Sequence, residues 1–279
     1  MTSVAPSAPT EGRAARRRAA QEAAKRSRTR TGSRGRGRRR RRSASGSPLV
    51  VLSRLGGELF ITLGLVMLLF VVYQIWYTNF LADRTAQDAA GSLQQNWQQG
   101  GDAAPGAAAP PVTAFEPGQG FAILHIPKLD VKVPVAEGIS KPKVLDKGLV
   151  GHYDGGENSV KSAMPSDAQG NFGLAGHRNT HGEPFRYINR LVPGDKIVVE
   201  TRDTYYTYEM ASQLAQTSTK NVAVLGPVPE GSGFTSAGRY ITLTTCTPEF
   251  TSTYRLIVWG RMTGERPRSQ GAPPELASP

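Results

Sequence analysis

Hydrophobic positions along the chain fall into two patterns. The first is continuous: Leu59 to Ala82 is a stretch of 24 residues without a formal charge. As a helix it is about 36 Å long, enough to cross a hydrocarbon core of about 30 Å with some tilt. Tyr73, Trp76 and Tyr77 gather towards its C-terminal end, where amphipathic rings favour the headgroup layer. A buried core helix of this length would keep a polar face, and this stretch has none. The pattern predicts a membrane span over 57–82.

The second pattern is short and interrupted. Phe121–Ile126, Val131–Val135, Lys196–Glu200, Tyr205–Met210, Val222–Leu225, Tyr240–Thr245 and Arg255–Trp259 are rich in β-branched and aromatic residues, with Pro, Gly, Asn and Asp between them. A helical turn or two is expected only at Pro184–Leu191, with Pro at the first helical position. Seven or eight strands over residues 119–263 predict one all-β domain, a closed barrel or a sandwich. The segment 83–118 is rich in Ala, Gln, Gly and Pro and reads as a flexible tether with a short helix around Thr85–Trp97. The polar, Pro-rich residues 264–279 read as a disordered tail.

Charge divides the chain the same way. Sixteen of the 34 basic and two of the 22 acidic residues precede Gly57. The net +12 therefore belongs to an arm over residues 1–56, and the remainder is slightly acidic. With a run of five arginines at Arg38–Arg42 and little to bury, the arm is expected to be disordered. Binding of RNA or DNA by such a tract is the alternative, but a membrane span follows it directly, and no nucleic-acid partner is expected. In the 35 residues after the span the only basic residue is Arg84. The positive-inside rule places the arm in the cytoplasm and the β-domain outside, on a single-pass, uncleaved signal anchor.

Candidate chemistry begins with the lone cysteine, Cys246. One cysteine excludes an internal disulfide and multi-cysteine zinc modules. Free cysteines are ordinarily inert core residues. Alternation along Tyr240–Cys246, however, puts Ile241, Leu243 and Thr245 on one face and Thr242, Thr244 and Cys246 on the other. The thiol thus sits at a strand end, away from the apolar face. If the next strand pairs antiparallel, Arg255 comes to the same end, a guanidinium fork beside a nucleophile. Of four histidines, His125 lies inside the first strand and reads as structural. His152, His177 and His181 all lie in Gly-flanked loops, and the residues alone do not separate them as the base. A zinc site is the rival, since His177 and His181 are spaced H-x₃-H and Cys246 supplies a third ligand. That spacing needs a helix, which Gly176, Asn179 and Gly182 oppose; no metal or other cofactor is expected.

Gly173–His177 (GLAGH), Thr242–Cys246 (TLTTC) and Arg255–Val258 (RLIV), in that order, resemble the sortases, membrane-anchored cysteine transpeptidases of Gram-positive bacteria. Ile126–Leu129, Val133–Val135 and Gly194–Asp195 add to the match, and the continuation HRNTHGEPF is most similar to class E of high-GC actinobacteria. The resemblance implies an eight-stranded β-barrel with short helices. It implies Cys246 as nucleophile, His177 as general acid/base and Arg255 as donor to the substrate carbonyl. His152, Tyr153 and Thr245 are then candidate substrate-pocket residues. The implied partners are secreted proteins bearing an LPXTG or LAXTG sorting signal and an amine on a lipid-linked peptidoglycan precursor or a pilin. Asp154–Gln169 departs from the family as a longer loop. Other cell-wall Cys/His enzymes fit less well: NlpC/P60 peptidases place Cys before His, and L,D-transpeptidases show a His-Gly-Cys neighbourhood. A non-enzymatic anchored binding module is the third reading.

Overall fold

The computed structural model describes residues 20–22, 48–99, 115–156 and 159–277. Most of the basic arm therefore lies outside the described residues, as does much of the expected tether. The chain divides into two units, 1–63 and 64–279.

Helix α1, Pro48–Val72, is long and apolar enough to cross a membrane. A π-helical turn, Tyr73–Tyr77, follows it, and then helix α2, Thr78–Gln99. The helix bounds differ from the expected span: the apolar helix begins before residue 57, and residues 78–82 belong to α2, which packs on the β-domain. The short helix expected around Thr85–Trp97 is part of α2, which is longer and runs through Gln99. Sequence explains the change: α2 carries a stripe of small residues, and Ala82 and Ala90 are buried. Ala86 and Ala89 pack against Ala136, Val144 and Leu149. Small side chains let the helix approach closely; a Cβ on Gly148 would stand 2.8 Å from the Ala82 carbonyl oxygen.

Eight strands close into a barrel: β1 (Gly120–Ile126), β2 (Val131–Glu137), β3 (Val150–His152), β4 (Gly170–Ala175), β5 (Lys196–Thr201), β6 (Thr204–Ser218), β7 (Arg239–Thr247) and β8 (Tyr254–Pro267). Their order around the barrel is β1-β2-β3-β4-β7-β8-β6-β5. The β2–β3 and β4–β7 pairs are parallel and the remaining pairs antiparallel. Closure gives every strand a neighbour on each side over at least part of its length. The inward faces supply one apolar core, including Leu124, Val135, Leu174, Val199, Tyr208, Leu243 and Val258.

Four elements differ from the pattern reading. β3 and β4 were not expected as strands, because Gly-rich VGH and GNFGLA carry little β-propensity and are held by parallel neighbours. Val222–Leu225 is a 3₁₀ turn rather than a strand. It lies across the outer face of the barrel, where Val224 and Leu225 pack on Ile257 and Trp259. With no ladder partner, the Val224 carbonyl accepts the indole N–H of Trp259 at 3.0 Å. Finally, β8 runs through Pro267, beyond the expected domain end at 263, because the first half of β6 pairs with it from Thr204 onward. Short 3₁₀ turns at Arg268–Gln270 and Pro274–Leu276 stand where a disordered tail was expected.

Trp259 is fully buried and joins β8 to the covering segment. Trp259→Ala is expected to lower stability by about 3–5 kcal/mol, measured by chemical denaturation of the protein.

Candidate active site

Strand β7 ends at the position the alternation predicts. Ile241 and Leu243 enter the core, while Thr242 and Thr244 are buried on the outer face beneath the covering segments. Cys246 follows on that outer face and is partly exposed. In the antiparallel β7–β8 pair, Cys246 lies directly opposite Arg255. One guanidinium nitrogen of Arg255 donates to the carbonyls of Ser252 and Tyr254, at 3.0 Å each. These local bonds hold the side chain at its own strand end.

His177 reaches the same place through β4. In the parallel β4–β7 register, Ala175 pairs with Thr244, and two further residues bring His177 level with Cys246. The chain leaving β4 is laced to the cysteine strand on both sides of the histidine. Gly176 N–H donates to the Thr244 carbonyl at 3.2 Å, and Thr245 Oγ1 donates to the Gly176 carbonyl at 2.8 Å. Arg178 Nη1 donates to the Cys246 carbonyl at 3.2 Å and to Thr247 Oγ1 at 3.0 Å. Gly176 is required by this approach, since a Cβ would stand 2.7–3.1 Å from the ring of buried Phe185.

The imidazole of His177 has a carboxylate partner, Asp146 Oδ1, 2.8 Å from Nε2. Burial lowers the His177 pKa below the ordinary histidine value, and the Asp146 hydrogen bond and charge offset it only in part. This shift favours the neutral imidazole, the form able to accept a thiol proton.

The three weaker candidates divide. Tyr153 lies on the cysteine face of the barrel: its hydroxyl shares a 2.8 Å hydrogen bond with Thr244 Oγ1. Burial raises its pKa, and the charges of Arg255 and Cys246 both act on it. His152, its neighbour, points the other way and does not line this face. It is 2 % exposed, bonded through Nδ1 to Glu137 at 2.9 Å and through Nε2 to Ser162 Oγ at 2.8 Å. Adjacent residues leaving a strand face opposite sides, so one of the pair had to be lost. Thr245 is buried on the core side and its hydroxyl is committed to Gly176; it positions the histidine turn and does not line a pocket. His125, expected to be structural, bonds Glu200 at 2.9 Å.

Sequence reasoning missed Asp146, Arg178 and the contact of α2 with the histidine loop. Asn79 of α2 donates to Glu183 at 3.0 Å and accepts from Gly182 N–H at 3.3 Å. Nothing in the spacing of these residues marks them; only the fold brings them together. The long Asp154–Gln169 loop folds back on the barrel: Asp154 bridges Lys161, and Ala163 N–H donates to the Asn171 carbonyl at 3.0 Å. Residues 157 and 158 lie outside the described residues.

A thiol, an imidazole and a guanidinium on the outer face of a closed barrel define a candidate site for cysteine-dependent acyl chemistry. The model of the Sortase domain matches residues 124–263. Sortase SrtE1 of Streptomyces coelicolor is 64% identical over 229 residues, which cover 82% of this chain and 62% of that protein. Sortase SrtE2 of the same organism is 45% identical over 74% of this chain and 80% of its own length. Among solved structures, sortase E1 from Streptomyces coelicolor with a tripeptide in the active site superposes with a TM-score of 0.56 at 70% identity, covering 58% of this chain and 99% of that one. The chain belongs to the sortase family, and its structural neighbours include class E sortases.

Gly176→Ala is expected to displace the Phe185 ring or the histidine turn and to lower kcat/KM for peptide cleavage by about 10–100-fold. The circular dichroism spectrum should be unchanged; wild-type cleavage would show that the close approach is dispensable.

Proposed function

We propose that the protein is a membrane-anchored transpeptidase that cleaves LAXTG- or LPXTG-type sorting signals after Thr. The observation that carries this is the pairing of Cys246 with Arg255 across β7–β8, with His177 laced level beside them. Family membership supports it over the L,D-transpeptidase, peptidase and binding-module readings.

The chemistry follows from the proton state of each group. Neutral His177 takes the proton of Cys246 as the sulfur attacks the Thr carbonyl carbon, and the carbonyl oxygen gathers negative charge. Arg255 offers fixed N–H donors to that oxygen. The C–N bond to glycine then breaks, and the His177 imidazolium gives its proton to the departing amine. A thioester on Cys246 remains. An amino group of a peptidoglycan precursor or pilin attacks it, returning a proton through His177 to the sulfur. The lowered pKa of His177 suits this cycle, because a base must be neutral before it can act.

Helix α1 serves as the anchor, and the arginine-rich segment before it keeps the N-terminus in the cytoplasm and the barrel outside. Tyr153 lines the acyl pocket beside the thiol, its hydroxyl oriented by Thr244.

Mass spectrometry of the protein mixed with LAXTG and LPXTG peptides tests the reading. A mass increase matching the acyl fragment, located on Cys246, is expected, and Cys246→Ala should abolish both adduct and cleavage. Cleavage that survives Cys246→Ala would overturn the assignment.

A further inference from the structure

The loop after His177 carries a second imidazole that the transfer chemistry leaves unused. His177 and His181 stack with ring centroids 5.2 Å apart, although no helix joins them. A turn does this instead, with His181 at φ 54° and Gly182 at φ 78°. Asn79 of α2 pins the turn through its hydrogen bond from Gly182 N–H. The expectation that the H-x₃-H spacing could not converge without a helix is thereby corrected. The third group is Asp146, from the 3₁₀ turn Leu145–Lys147, and not Cys246.

Donor atoms of Asp146, His177 and His181 all lie within 4.8 Å of one another. Asp146 Oδ1 is 2.8 Å from His177 Nε2 and 3.9 Å from His181 Nδ1. Tetrahedral ligands at ordinary zinc bond lengths stand about 3.3 Å apart, a value these two distances bracket. Small side-chain rotations therefore bring the set to coordinating distance. His181 Nδ1 is enclosed yet has no hydrogen-bond partner among the described residues. A buried polar atom left unpaired is costly and invites an explanation, and a cation among these three donors supplies one.

We propose that Asp146, His177 and His181 form a binding site for a divalent transition metal of the zinc class, and that its occupation withdraws His177 from proton transfer. Two imidazoles and one carboxylate suit zinc rather than calcium or magnesium, which favour all-oxygen sites. Three protein ligands leave one position for water. Metal on Nε2 would displace the proton that Nε2 donates to Asp146 and fix the remaining ring proton on Nδ1, leaving no ring nitrogen to accept a proton. The site would thus act as a reversible inhibitory switch. This consequence rests on His177 being the acid/base of the proposed transfer; the metal site itself does not.

The test separates the two. Zinc is titrated into full-length Cys246→Ala protein in detergent against a chromophoric chelator, so that neither thiol binding nor catalysis enters the readout. One zinc per chain is expected, with at least tenfold weaker binding in Cys246→Ala proteins that also carry His181→Ala, His181→Gln or Asp146→Asn. Equal affinity in all four proteins, or no binding to the first, would overturn the site. In the protein with Cys246 intact, zinc should stop peptide cleavage and a chelator should restore it. His181→Gln should retain cleavage and, measured against its own zinc-free rate, resist zinc at concentrations that silence the parent; equal fractional inhibition of both would overturn the switch.

Discussion

The hydrogen bonds between residues 176–178 and 244–247 hold the candidate site together. β4 and β7 are parallel neighbours, so their C-terminal ends emerge side by side. Two backbone chains leaving a sheet together would splay unless something held them. Here one backbone N–H, one threonine hydroxyl and one arginine do so, and each reaches across at the height of His177 and Cys246. The guanidinium of Arg178, nearly buried, addresses the carbonyl of Cys246 itself. The position of His177 relative to the thiol is therefore set by bonds that its flanking residues make to the cysteine strand, while its own Nε2 is held by Asp146.

That arrangement explains which parts of the site were legible in the amino-acid chain. Alternation along Tyr240–Cys246 is a local property, and it correctly put Cys246 on the outer face. A tight antiparallel return is nearly local too, so the Cys246–Arg255 pairing could be read from a short loop between two strands. His177 was harder, because a parallel pair joins segments far apart in sequence and its strand, GNFGLA, has little β-character of its own. Three Gly-flanked histidines could be separated only by likeness to a family. Asp146 and Arg178 left no signal, since their partners are defined by packing alone.

Helix α2 shows the same limit. Composition suggested a tether, for Ala, Gln and Gly favour no core. Yet alanine's small side chain is what lets the helix lie on β2 and on the turn carrying Asp146. Through Asn79 it also holds the loop after His177. The segment that follows the apolar helix is thus continuous with the groups that surround the His177 imidazole. Asp146, which bonds that imidazole, and His181, which stacks on it, are each presented by a turn that α2 supports.

Arg178→Met tests most directly whether these cross-strand bonds set the site, because it keeps much of the side-chain volume and removes every donor. The expected result is a fall in kcat of about 10–100-fold, with KM little changed, the melting temperature only modestly lowered and partial recovery in Arg178→Lys. Wild-type kcat in a folded Arg178→Met protein would contradict the account.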